Sequence, residues 1–196
     1  PVIRKLLRNL NYPLAAPSAN ISTRLSSVKA SDVNDEFGSK IKYVLNGGKS
    51  QIGVESTIIN LITQPTILRF GGLDSSKIER VLKKKVLIKN DPKNKTAPGQ
   101  FPIHYSPGIP LRINIKKPKN DEAFVLIRKR KNSYKNYYYL SKKGDLKQSA
   151  KNLFSLLRKI KKDGYKMIAV EKIPNKGIGK TINDRLTRAS KFNLIN

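Results

Sequence analysis

Apolar residues recur at helical spacing from the start of the chain. Val2, Ile3, Leu6, Leu7 and Leu10 predict a helix over residues 2–10, which Asn11 and Tyr12-Pro13 end, because Pro disfavours the helical conformation in the residue before it. The small residues 14–16, broken by Pro17 and turning polar at Ser18 to Asn20, predict a short strand running into a loop. Ser31 stands where a cap is needed for a short helix through residue 37, with acidic residues near its positive end and Gly38 closing it. Strand-like runs follow at 43–45, 55–62 and 66–69, separated by Gly47-Gly48, Gly53 and Gln64-Pro65. Ser76-Lys77-Ile78-Glu79 has the form of a capping box and predicts a helix through residue 84.

From residue 90 to residue 110 the rhythm lapses into Asp91-Pro92, Pro98-Gly99, Pro102, Pro107-Gly108 and Pro110. A flexible connector would be rich in Gly and Ser, whereas this one carries Phe101, Ile103, His104 and Tyr105 between stiffening prolines, as a segment packed against something would. Periodicity then resumes, with strands near 111–115, 123–127 and 137–140 and a long helix over 147–162. That helix places Leu153, Phe154, Leu157 and Ile160 on one face and stops at Gly164. A strand at 167–170 and a helix at 183–190 complete the pattern. The chain reads as α/β material in two units, 1–89 and 111–196, joined by the Pro-rich segment 90–110, with no internal repeat.

Composition narrows the choice. Among 196 residues, 38% are hydrophobic and 28% charged, so a core can be built, while Lys plus Arg number 41 against 13 Asp plus Glu, a formal net charge of +28. With Cys absent and a single His, disulfide scaffolds, thiolate nucleophiles and Cys- or His-rich metal sites are excluded. No apolar stretch reaches the about 20 residues of a membrane span and no signal peptide precedes the first helix, so the expected compartment is the cytoplasm. The chain enters its first apolar segment at Pro1 without a methionine or cap, which reads as a fragment lacking its true N-terminus. Abundant Lys, Asn and Ile is what an AT-rich genome produces. The same charge also makes a field that attracts polyanions, either nucleic acid or a nucleoside triphosphate.

Several segments carry candidate chemistry. Residues 174–181 end like a phosphate-binding loop, but Pro174 stands where the first Gly belongs and has no N–H to give a phosphate, so a Gly-rich turn into the last helix is the better reading. His104 suits general-base chemistry by its ordinary pKa, yet no partner stands near it in sequence, which favours a hydrogen-bonded structural His. The first half offers small and hydroxyl-bearing loops: Ala15 to Ser22, Ser26, then Gly53-Val54-Glu55-Ser56-Thr57, and Leu68-Arg69-Phe70-Gly71-Gly72. Hydroxyls and unpaired backbone N–H groups at strand ends suit a nucleotide or an amino-acid carboxylate, because they donate short, fixed hydrogen bonds without bulk.

In order along the chain, Ala15-Ala16-Pro17-Ser18-Ala19-Asn20, Gly47-Gly48, Gly53 to Thr57, Ile67 to Gly72, Ala97-Pro98-Gly99 with His104-Tyr105-Ser106-Pro107, and Ile182-Asn183-Asp184-Arg185-Leu186 closely resemble the long, two-domain threonylcarbamoyl-AMP synthase family of YrdC-domain proteins. The resemblance runs over essentially the whole chain. It implies the C-terminal part of a YrdC-like twisted α/β domain, a linker that acts as a lid, and a small Rossmann-like α/β domain. The implied activity is that of a nucleotidyltransferase making threonylcarbamoyl-AMP and pyrophosphate from L-threonine, bicarbonate and ATP. Its implied partners are tRNA and the downstream proteins that transfer the threonylcarbamoyl group to it.

By the same resemblance Ala16, Ser26, Arg69 and Tyr105 would contact ATP, Ser18 and Ser56 would contact L-threonine, and Asn20 and Thr57 are further candidates. Mg²⁺ is expected with the triphosphate. No catalytic residue is implied. Ser22-Thr23-Arg24-Leu25-Ser26 departs from the family's usual Ser-Gly-Arg-Pro-Ser, and Arg69-Phe70-Gly71 from Arg-Pro-Gly. The family's N-terminal half-domain with its Lys-x-Arg motif is absent from this sequence, so the piece alone is expected to be unstable and inactive. The rival reading is a non-catalytic, basic RNA-binding or regulatory protein that keeps a YrdC-like surface for double-stranded RNA or tRNA. Ser18, Ser56, Arg69 and Tyr105 together weigh against that rival, because an RNA binder has no reason to keep the set.

Overall fold

The computed structural model describes residues 2–90 and 93–194. Asp91-Pro92, which opens the Pro-rich segment, and the initial Pro1 lie outside the described residues.

The first half is lightly built. Helix α1 (Val2–Arg8) forms as its spacing predicts, but none of its residues is buried. The expected strands at 14–16 and 43–45 are absent, and the run at 55–62 contracts to β1 (Ile58–Asn60). Their side chains explain it: Leu14, Tyr43 and Leu45 are all exposed, and an apolar run becomes a strand only where a neighbour takes its backbone hydrogen bonds. Strand β2 (Thr66–Arg69) pairs antiparallel with β1 and parallel with β3 (Leu87–Ile88), a short strand that the sequence pattern did not announce.

Helix α2 (Ala30–Phe37) starts one residue ahead of the expected cap, so Ser31 lies inside it. The carboxylate of buried Asp32 instead accepts from the Val28 N–H at 3.0 Å. In α3 (Ser75–Leu82) the cap is Asp74, which accepts from Ser76 N at 2.8 Å, and Glu79 reaches past the helix end to Val86 N.

The second half carries the deep core. Strands β4 (Leu111–Arg112), β5 (Glu122–Arg128), β6 (Tyr137–Ser141) and β7 (Met167–Val170) form an all-parallel sheet in the order β4-β7-β5-β6. Helix α4 (Leu146–Lys162), capped by Asp145, buries Leu153, Phe154, Leu157 and Ile160 as its spacing predicts. Helix α5 (Gly179–Ser190) begins four residues before the expected start, because the Gly177 turn winds straight into it. Its Ile182, Leu186 and Ala189 join α4 and the sheet in one cluster, which also takes in Leu25, Val28 and Tyr105 from outside the second unit. Parallel strands buried under helices are expected to be near-continuously apolar, and β5 reads that way in Ala123-Phe124-Val125-Leu126. Among the described residues no helix is long and apolar enough to cross a membrane.

Candidate functional site

The end of β2 delivers Arg69 to the loop before β1. Their register sets Ile58 opposite Arg69, so the guanidinium falls beside Ser56. It donates to the Ser56 carbonyl through Nε at 3.2 Å and Nη2 at 2.9 Å, comes within 3.4 Å of Ser56 Oγ, and reaches the Pro98 carbonyl through Nη1 at 3.2 Å. Arg69 thereby fastens the Ala97-Pro98-Gly99 turn to the first sheet. Gly99 has φ 82°, and a Cβ there would sit 2.5 Å from the Tyr105 hydroxyl and 3.0 Å from Arg69 Cδ. Only Gly lets the turn approach both. Ser56, Arg69 and Tyr105 are thus gathered at one place.

Tyr105 is not an exposed flap. It is 1% exposed with φ 62°, stacks on Phe154 of α4 at 5.7 Å, and lies under the Arg185 guanidinium at 4.5 Å. The lid expected from the Pro-stiffened segment is, in this structure, anchored in the second unit's core with its hydroxyl turned back toward Gly99. Burial, with Glu55 adding and Arg185 opposing, holds the phenol above its ordinary pKa.

Behind this group runs a buried ionic chain. The Ser26 hydroxyl donates to Glu55 Oε1 at 2.5 Å, and Arg185 Nε donates to Glu55 Oε2 at 2.9 Å. Arg185 also donates through Nη2 to the Phe70 carbonyl at 2.8 Å and pairs with Asp184. Burial alone would raise the Glu55 pKa, but the Arg185 charge and the Ser26 bond outweigh it, and the carboxyl is held below its usual value. The sequence motifs contained Glu55 and Arg185 without giving either a role. The signal was present: Arg185 shares the apolar face of α5 with Ile182, Leu186 and Ala189, and a charge on a buried face calls for a partner.

Arg188, one turn on and 4% exposed, donates to the carbonyls of Gln100, Phe101 and Asn90 at 2.9, 2.8 and 2.7 Å. Buried Gln100 donates to Leu68 O and accepts from the N–H groups of Thr96 and Ala97. The Pro-rich segment is therefore pinned from both sides. His104 is half-buried, and its Nδ1 accepts from Tyr105 N at 3.0 Å. Burial, with the Arg185, Arg188 and Arg69 charges and against Glu55, lowers its pKa, leaving a neutral structural imidazole at pH 7.

The remaining candidates lie apart. Ala16 and Ser18 are exposed on the irregular stretch 13–18, and among the described residues no hydrogen bond joins them to the Arg69 group. Asn20 donates to the carbonyls of Ile21 and Arg24, so it shapes the turn before Ser26, and its Oδ1 is buried without a partner. The Thr57 hydroxyl donates to Leu73 O at 2.6 Å and accepts from Leu73 N at 3.2 Å. The phosphate-loop-like stretch is a clasp: Thr181 Oγ1 donates to Gly71 O at 2.9 Å, and a Cβ on Gly179 would come within 2.0 Å of Pro174 O. Among the described residues no cluster of His, Asp or Glu fits a metal ion.

Comparison with known proteins bears on the family and the fold. Residues 73–191 match the family described as "Threonylcarbamoyl-AMP synthase, C-terminal domain", and residues 1–71 match one described as "Telomere recombination". The threonylcarbamoyl-AMP synthase of Pyrococcus abyssi is 33% identical over 97% of this chain and 62% of its own length, and that of Bacillus subtilis 29% identical over 97% and 60%. The chain thus spans about 60% of the length of the curated relatives it matches. Among solved structures, P. abyssi Sua5 complexed with L-threonine superposes with TM-score 0.81 at 30% identity, covering 96% of this chain and 61% of that one. A variant of the same protein with an adjacent His-Tyr pair changed to Ala gives 0.79.

Proposed function

The chain belongs to the threonylcarbamoyl-AMP synthase family, and from that premise we propose that its complete gene product condenses L-threonine, bicarbonate and ATP to threonylcarbamoyl-AMP, releasing pyrophosphate and water. The observation that carries this reading is the convergence of Ser56, Arg69 and Tyr105 around the Ala97-Pro98-Gly99 turn, braced by Ser26–Glu55–Arg185.

A planar guanidinium fixed by two carbonyls is preorganised to receive phosphate oxygens on its remaining N–H, which favours Arg69 as the phosphate contact. Ser26, Tyr105 and the backbone at Ala16 are the other ATP contacts in this reading. Ser56 Oγ stands beside Arg69, and Ser56 with Ser18 would hold L-threonine, the ligand of the P. abyssi structure. Adenylation of this kind rests on positioning and charge neutralisation more than on covalent help from the protein. Mg²⁺ is proposed to arrive with the triphosphate, since the described residues offer no carboxylate cluster for it. Cytoplasmic tRNA and the proteins that transfer the threonylcarbamoyl group are the proposed consumers of the product.

The test is pyrophosphate release by the complete gene product, with L-threonine and bicarbonate each withheld in turn, for wild type and Arg69→Ala. Release that requires both co-substrates and falls by at least about a hundredfold in the variant, the scale of losing a charge-stabilising donor, is the expected result. Release indifferent to threonine would overturn the reading.

A further inference from the structure

A second cationic centre lies where the loop before Ser26 meets the segment after Tyr105. Leu25 N donates to Ser106 O at 3.1 Å and Ser106 N to Thr23 O at 2.8 Å, and beside this seam opens a recess of about 480 Å³. Four basic groups, Arg24, Arg158, Lys161 and Lys162, line it with two carboxylates, Asp35 and Glu36. The carboxylates are already engaged: Glu36 accepts from Ile21 N and from Arg158 Nη2, and Asp35 pairs with Lys162. Nearby Asp32 accepts from Val28 N and faces Arg158 Nε at 4.0 Å.

Arg24 and Lys161 are left over. Arg24 lies over the Phe192 ring at 5.5 Å, but its Nη1 is buried without a hydrogen-bond partner. The position of a Cβ built on Gly108 is 1.8 Å from Arg24 Nη1 and 2.8 Å from Lys161 Nζ. The two cationic nitrogens therefore stand within about 5 Å of each other, a repulsive arrangement at any local dielectric, with no protein acceptor described for either. Burial first, and then the Arg24 and Arg158 charges against Glu36, hold the Lys161 ammonium below its ordinary pKa.

We propose that Arg24 and Lys161 form a binding site for a small phosphate-class oxyanion, which bridges the loop before Ser26 to the last turn of α4. Such an anion supplies the charge-assisted hydrogen bonds that the protein withholds from both groups. The excess of two positive charges around the recess favours an oxyanion with more than one negative charge, as phosphate, a mixture of mono- and dianion, has at neutral pH. Gly108, with φ 79°, keeps the meeting point of the two cations clear of a side chain. The site is separate from the Arg69 group and does not depend on the adenylation reading.

Calorimetric titration of the complete gene product with inorganic phosphate, and separately with pyrophosphate, tests this against chloride at matched ionic strength. Saturable binding that raises the melting temperature is expected, and Lys161→Met should weaken it by at least about tenfold, the effect of losing one charged hydrogen bond. Without phosphate the variant should melt at or above the wild-type temperature, because Arg24 loses a like-charged neighbour. Should Lys161→Met fail to fold, Arg24→Gln makes the same comparison of affinities. Equal phosphate affinity in wild type and variant, or none in wild type, would sink the proposal. So would a parallel loss of ATP affinity, which would assign the two cations to the nucleotide's own phosphates.

Discussion

Replacing Arg185 with Met keeps the bulk of the side chain and removes its charge. Four contacts go: the bonds to Glu55 and to the Phe70 carbonyl, the pair with Asp184, and the guanidinium over the Tyr105 ring. Glu55, with its side chain only 17% exposed, keeps the Ser26 hydroxyl as its side-chain partner. Removing one member of a buried ion pair costs about 3–5 kcal/mol, mostly because the other charge stays buried and uncompensated. Urea unfolding of the complete gene product at pH 7.5 should show a loss of that size.

Combining Arg185→Met with Glu55→Gln removes the orphaned charge and should recover at least about 1 kcal/mol relative to the single variant. The pH dependence has a defined sign. Because the folded Glu55 pKa lies below its ordinary value of 4.5, the pair's contribution is fully present above pH 4.5 and fades as pH falls through the folded value. The difference between wild type and Arg185→Met must therefore narrow in acid. A cost under about 1 kcal/mol at pH 7.5, or a double variant no better than the single, would refute the claim that this pair braces the site.

Three further substitutions probe the same framework. A Cβ on Gly71 would lie 2.2 Å from Ser56 C and Thr57 N and 2.5 Å from Glu55 O, backbone against backbone, so Gly71→Ala must displace the segment that holds Ser56. It should cost about 1–3 kcal/mol and most of the threonine-dependent pyrophosphate release, while Gly72→Ala, which meets only the Ile52 side chain, should be milder in both assays. Arg188→Met releases three carbonyls of the Pro-rich segment, and limited proteolysis should then cut between residues 93 and 110 faster than in wild type. Equal cutting rates would show that the segment is held by other contacts.

What could be read from the sequence followed from what is local. Strand 167–170 and the helix over 147–162 are legible because their apolar positions face one continuous core, and strand 66–69 because it buries Ile67 between two paired neighbours. The runs at 14–16 and 43–45 misled because period and composition report what a segment can bury, while pairing depends on a neighbour that no local pattern reveals. Caps slipped for a related reason. Asp74 and Ser76 both suit a helix start, and only the backbone geometry selects Asp74. At the site, Ser56, Arg69 and Tyr105 were named through the order of motifs, whereas Glu55 and Arg185, 130 residues apart, required the fold to bring them together.

The placement of Arg185 also bears on what the second unit is for. One helix, α5, sends Arg185 to Glu55 and Phe70, Thr181 to Gly71, and Arg188 to the Pro-rich segment. Each receiving group lies within a few residues of Ser56, Arg69 or the Ala97-Pro98-Gly99 turn. Tyr105, the residue expected to close over a nucleotide, stacks on Phe154 of α4 and not on anything in the first sheet. The unit that carries none of the proposed substrate contacts therefore sets the position of nearly all those in the Arg69 group. Movement of α5 against the first sheet would shift Glu55, Phe70 and Gly71 together, because all three hang from the same twelve-residue helix. If, as proposed, a nucleotide tightens the Arg69 group, the same contacts would tighten the seam between the units, and its binding would then be linked to the docking of the second unit.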